Sequence, residues 1–299
     1  MSNESAADPR IAAVAYAREA AAATLAEAIK TGGSHTTEKG VCDRWSALLA
    51  ADPKLLAKGW YEPPPNGVSV LIGEGPDWAR MSYVSLRHQE TWPRDDLTLK
   101  HGSLMYAYSS PVVAENFMIG DLGVTLYDGE DEQIWGHLST CFEITAAVAS
   151  YAEVGMELRD LYNFAAGLME NAALVNETYS TTDVSGGVDI GHTLPWTYEE
   201  PTAEQLTELR SGDYPRMAKA ISKARLFHNA QERQKIRPTM AFTVEPRMAG
   251  PGRPLASFHV LVSFDHGVKR IHCGFAQIFS LFGMNSRLPQ QALTTLGCL

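Results

Sequence analysis

Positive charge is what this sequence has least of relative to its opposite. Against 35 Asp and Glu it has 25 Lys and Arg, a formal net charge of −10. No stretch gathers the Lys and Arg that a phosphate backbone or an anionic bilayer would require, so nucleic acid and membrane are excluded as expected partners and a small-molecule substrate is favoured. Cysteine is scarce too. Cys42, Cys141, Cys273 and Cys298 show no CxxC spacing, which argues against a zinc ribbon or a stapled secreted scaffold, and all four are expected to be reduced thiols. No apolar run reaches the ~18 residues that span a bilayer. The opening residues 1–10 are polar rather than a basic region followed by an apolar one, so a cytoplasmic location is expected.

What is present is enough to bury a full core: 299 residues, 45% hydrophobic and 20% charged. The chain reads as one domain over 1–299. Apolar residues at helical spacing predict a helix over 8–30 that stops at Gly32-Gly33, and a second one opening at Thr37-Glu38 and ending before Pro53. Strands are predicted at 68–72, 81–86, 103–108 and 116–127. Two further helices, 130–151 and 158–173, are separated by a turn at Gly155. Helix, turn, helix, then strands is therefore read twice, as two related αα-plus-strand halves. A charged helical insertion at about 202–235, placed to lid or flank a pocket, precedes the final strands, of which 256–264 is one.

The most informative stretch is Ile236 to Pro246. Met240 to Val244 has the β-branched and aromatic mix of a short buried strand, which Pro246 ends by removing a ladder donor. Glu245 is left at the strand exit, pointing into whatever the sheet encloses.

The run Arg237-Pro238-Thr239-Met240-Ala241-Phe242-Thr243-Val244-Glu245-Pro246 resembles the K-P-G-M-x-F-T-I-E-P motif of the methionine aminopeptidase, prolidase and creatinase superfamily. Gly191-His192-Thr193 followed by Glu199-Glu200-Pro201 is similar to its G-H-G-I-G…H-E-P stretch, and Gly120-Asp121 falls at its second aspartate. The resemblance covers roughly residues 8–267. It implies the α+β pita-bread fold, with two pseudo-symmetric halves around a central antiparallel sheet. It also implies Asp121, His192 and Glu245 as metal ligands, and a homodimer is possible by analogy with creatinase-like members.

The departures matter as much. Tyr108 stands where the family's first metal-binding aspartate belongs, Ser257 where its second bridging glutamate belongs, and Glu199 where a substrate-contacting histidine belongs. Bridging carboxylates hold two cations ~3.5–4 Å apart against their mutual repulsion, so an ordinary dinuclear aminopeptidase is not expected. A mononuclear site is: Asp121, His192 and Glu245, with His259 added, since residues 257 and 259 of a strand share a face and a small Ser257 leaves room. Two histidines and carboxylates suit one divalent Fe, Mn or Zn with open positions. His88 is the expected catalytic acid/base, with Glu199 and Tyr108 contacting substrate. The expectation is thus a metal-dependent hydrolase, lyase or oxygenase acting on a small amino-acid-like or amide substrate. A metal-free, creatinase-like hydrolase or lyase using His88, or a non-catalytic binding protein, are the alternatives.

Overall fold

A computed structural model describes residues 7–33, 36–62, 64–73, 80, 93–177 and 188–299. The expected strand at 81–86 and the candidate acid/base His88 lie outside the described residues.

Helix α1 (Pro9–Lys30) begins where sequence chemistry dictates: the Asp8 side chain accepts the Arg10 amide, and Pro9 sits in the first turn, where no N–H is needed. Its buried face carries Ile11, Val14, Ala21 and Leu25, and also one fully buried arginine, Arg18. Helix α2 (Glu38–Ala50), capped by Thr37, packs on α1 through Trp45, whose indole N–H donates to the Ala21 carbonyl at 3.1 Å. Strands β1 (Val68–Gly73), β2 (Ser103–Ser109) and β3 (Leu122–Asp128) then form an antiparallel sheet in that order. Nearly every residue of these strands is buried, so they lack the alternation of a half-exposed sheet. Of the expected strand 116–127 only 122–127 lies in the ladder; 114–116 form a turn, and Phe117 just after it has φ 61°.

The helix pair recurs as α3 (Glu132–Tyr151) and α4 (Leu158–Asn171), followed by the two-residue strand β4 (Val175–Asn176). Asp131 sets the start of α3 by accepting from the Gln133 and Ile134 amides. The insertion is helical only at α5 (Ala203–Leu209) and α6 (Tyr214–Lys223). Beyond α6 the backbone is recruited as strand-like partner to the His192 segment, with His192 opposite Phe227 and the Thr193 amide on the Leu226 carbonyl at 2.8 Å. Tertiary pairing overrides the helical composition there.

The remaining strands are β5 (Met240–Val244), β6 (Arg247–Gly250), β7 (Arg253–Ser257), β8 (Val260–Asp265) and β9 (Val268–His272). All pairings are antiparallel, but the strands divide into three ladders, β1-β2-β3, β4-β6-β7 and β5-β8-β9. The chain changes ladder at two adjacent points: Glu245-Pro246, between β5 and β6, and Phe258-His259, between β7 and β8. Two strands, not one, therefore occupy 256–264. Pro246 has no N–H to continue the pairing, and the backbone at 258–259 turns to β3 instead, with the His259 amide on the Gly123 carbonyl at 2.8 Å. The tail packs back as α7 (Ala276–Leu281) and α8 (Gln290–Leu296). Folding back in this way brings Cys298 to Cys273, and the two form a disulfide across 25 residues. They are not the expected reduced thiols; Cys42 and Cys141 are free and buried. No helix among the described residues is long and apolar enough to cross a membrane.

Candidate functional site

The two ladder changes and the entry to β3 meet at one place, and the predicted ligands lie there. Asp121 immediately precedes β3. A Cβ at its neighbour Gly120 would lie 2.5 Å from the Arg18 amide nitrogen, so glycine lets α1 cross at that point. The Trp60 indole donates to Asp121 Oδ1 at 2.8 Å. Asp121 Oδ2 is buried and accepts no hydrogen bond.

His192 is held by its own backbone. Gly191 has φ 138° and a Cβ there would lie 2.3 Å from the Thr243 carbonyl oxygen, so only glycine admits the strand beside it. The His192 amide donates to Thr243 Oγ1 at 3.0 Å. Its Nδ1 is 3.0 Å from the Thr193 carbonyl, which can only accept, so Nδ1 carries a proton and Nε2 is the free end. Nε2 lies 3.3 Å from Asp121 Oδ2 and 3.8 Å from Glu245 Oε1.

The other oxygen of Glu245 engages His259. Glu245 Oε2 is 3.0 Å from His259 Nδ1, an approach off the ring N–H direction, and His259 Nε2 accepts from the Tyr106 hydroxyl at 3.0 Å. A row of buried groups thus runs Tyr106, His259, Glu245, His192, Asp121, Trp60. The His259 ring fits because residue 123 is glycine: a Cβ there would stand 2.6 Å from three of its ring atoms. Gly123 makes that room, and the Ser257 hydroxyl donates to the Pro246 carbonyl at 2.9 Å.

Beneath the row, the buried Arg18 guanidinium donates to the backbone carbonyls of Asp121, His259 and Cys273. One side chain of α1 therefore fixes two of the site's backbones. Burial lowers the Arg18 pKa to about 9, against the opposing pull of Asp121, Glu245 and Tyr106. Burial acts to raise the Glu245 carboxyl, but His259 and His192 outweigh it and hold the pKa down to about 2, so Glu245 is an anion at neutral pH. Burial lowers the pKa of the His259 imidazole, against the opposing pull of Glu245. Tyr108 lies against His259, ring centres 6.0 Å apart, and burial, then Asp121 and the other neighbouring groups, raise its phenol well above the usual range. Its hydroxyl stays protonated.

Asp121, His192, Glu245, His259 and Tyr108 are therefore brought together. Glu199 is not: it is exposed, beyond the buried turn 196–198, beside the surface ion pair of Glu200 with Arg10. His259 stands one step further out: its Nε2 is taken by the Tyr106 hydroxyl, and its Nδ1 faces Glu245 Oε2 at 3.0 Å without hydrogen-bond alignment. Sequence reasoning missed Arg18, Trp60 and Gly123. Only Arg18 left a signal, as a charge on the apolar face of a helix.

Whether these residues suit a metal can be tested on their own atoms. As they stand, no three His, Cys, Asp or Glu side chains among the described residues enclose an ion. Yet Nε2 of His192 and Oδ2 of Asp121 approach to 3.3 Å without the alignment of a hydrogen bond, with Glu245 Oε1 close by. Ligands of a shared ion do this, because each aims at the ion rather than at its neighbour. Three acceptors meeting in a buried space need a cation among them, a proton on the ring or a metal ion. The donor set of one imidazole and two carboxylates fits a divalent metal.

No family model and no curated protein matches the chain by sequence. Solved structures do. A prolidase from Thermococcus sibiricus is similar with TM-score 0.60 and 13% identity, over 88% of this chain and 58% of that one. An X-Pro aminopeptidase from Thermotoga maritima gives 0.58 and 11%, over 89% and 61%. A methionine aminopeptidase from Thermotoga maritima gives 0.57 and 14%, over 89% of this chain and 96% of that one. The chain thus spans about three fifths of the first two and nearly all of the third. Paired helices and antiparallel strands are those of the pita-bread fold, and the chain has that fold.

Proposed function

We propose that the chain is an enzyme on this peptidase-like scaffold, acting on a small amino-acid-like or amide substrate with one divalent cation held by Asp121, His192 and Glu245. The observation that carries the reading is the convergence of His192 Nε2, Asp121 Oδ2 and Glu245 Oε1, with His192 Nδ1 tied to a carbonyl. A bound divalent metal supplies polarisation of a carbonyl or a more acidic water. The protein's own groups do the rest. Trp60 fixes Asp121 by one oxygen and leaves the other for the site. His259, backed by Tyr106, holds the second oxygen of Glu245 and keeps that carboxylate oriented and charged, the outer partnership that metal-binding carboxylates use. Tyr108, at the position of the family's first aspartate, offers a phenol O–H rather than a charge, which suits hydrogen bonding to a substrate carbonyl and disfavours a second cation.

The test is turnover of a panel of dipeptides, amino-acid amides and other small amides by the full chain before and after chelation. Activity that disappears with chelator and returns with one of Fe(II), Mn(II) or Zn(II) is expected. Activity untouched by chelation would instead favour a metal-free reaction, which the internal pairing of Glu245 with His259 also accommodates. In that case the His88→Ala substitution should abolish it.

A further inference from the structure

A cavity of about 580 Å³ lies away from the buried row and shares no wall residue with it. One wall is α5 and α6 of the insertion, through Leu209 and Met217; the other is the body of the chain, through Leu56 and Phe117. Its size falls within the ~300–1,000 Å³ of small-molecule sites. The lining is apolar, but two cations stand at it, Lys58 and Arg210.

Those cations are unusual in a chain of net charge −10. Among the described residues neither forms an ion pair, and Lys58 Nζ rests over the Tyr214 ring, 5.4 Å from its centre. The one acid of the wall, Asp213, is engaged as the cap of α6, accepting the Arg216 amide at 3.2 Å. The Tyr214 hydroxyl is closed off from solvent, and burial, then the Glu62 carboxylate, raises its pKa. Phe117, which lines this wall, holds φ 61°, a left-handed conformation that costs an aromatic residue energy. Two cations without ion pairs beside an apolar volume are complementary to an apolar body with one anionic head.

We infer that this cavity is a binding site for a small amphipathic carboxylate, its chain against Leu56, Phe117, Leu209 and Met217 and its head on Lys58 and Arg210. The direct test is calorimetric titration of the full chain with decanoate, decanol and decyltrimethylammonium, all below their aggregation limits. Decanoate should bind saturably at one site per chain, at least tenfold tighter than decanol, and the cationic amphiphile should not bind. Replacing Lys58 and Arg210 together by alanine, both exposed and harmless to folding, should weaken decanoate at least tenfold and leave decanol unchanged. Ala57→Trp, filling the cavity from its exposed rim, should abolish both. Equal affinity for decanoate and decanol, or decanoate binding indifferent to the double substitution, would overturn the assignment. So would self-association weakened by Ala57→Trp without decanoate binding, which would make this face an interface between copies.

Discussion

At the scale of single residues, the chemistry of the site depends on which buried groups are allowed to be charged. Glu245 is kept an anion by the histidines on either side of it. His228 is the opposite case: it is fully buried, neither ring nitrogen has a hydrogen-bond partner, and it packs edge-on against Phe242. Burial lowers its pKa from 6.5 to about 3. The unfolded chain therefore binds a proton near pH 6.5 that the folded chain refuses. The stability gained from a neutral His228 is complete above about pH 6.5 and is lost as pH falls toward 3, on the order of 5 kcal/mol in the limit. His228→Phe should leave stability near pH 8 little changed and move the acid-unfolding midpoint to lower pH. Denaturant melts at pH 8 and pH 4.5 check this, and parallel losses in both proteins would contradict it. None of this was legible in the sequence, because a histidine in Leu226-Phe227-His228 looks like any other until its neighbours are known.

At the scale of elements, the site exists because strands stop. The Glu245-Pro246 exit was legible, since proline cannot donate to a ladder, and so were both helix pairs, whose caps at Asp8, Thr37 and Asp131 act as their residue types demand. What was not legible is the break at Phe258-His259. Its cause is not local: the backbone there pairs with β3, a strand some 130 residues earlier, as the Ser257 amide also does through Thr125 Oγ1. A different pairing, of Leu226 and Phe227 with the His192 segment, ended the helical run expected to reach about 235. Gly123, the β3 residue that opens space for His259, had no signature beyond being a glycine. Gly123→Ala would place a methyl 2.6 Å from the imidazole. It is expected to cost ~1–3 kcal/mol of stability and, by displacing His259 from Glu245, to weaken metal binding at the centre. Paired thermal melts and metal titrations measure the two effects, and unchanged metal affinity would contradict the role given to His259.

At the scale of the whole molecule, α1, the sheets and the tail are joined through one point. Arg18 donates to the carbonyls of Asp121 and His259 and also to that of Cys273, which the disulfide ties to Cys298 beyond α8. The bulk composition predicted a single core and the motif resemblance implied the pita-bread fold, but neither could reveal that two cysteines 25 residues apart would meet. Closing a loop of that length limits the unfolded chain by about 3 kcal/mol. Cys298→Ser should lower the denaturant midpoint by an amount of that order in oxidising buffer, and a reductant should reproduce the loss in the natural chain; equal midpoints would contradict the pairing. The central claim is that a single metal centre survives on a scaffold whose other ligand positions have become Tyr108 and Ser257. It is tested most directly by titrating the chelator-stripped chain with Co(II) or Zn(II), beside the Asp121→Asn, His192→Ala and His259→Asn variants. The account predicts one ion per chain, binding abolished in the first two variants, and binding retained in the third but weaker by roughly 10–100-fold. No binding above trace, two ions per chain, or affinity indifferent to Asp121 and His192 would contradict it.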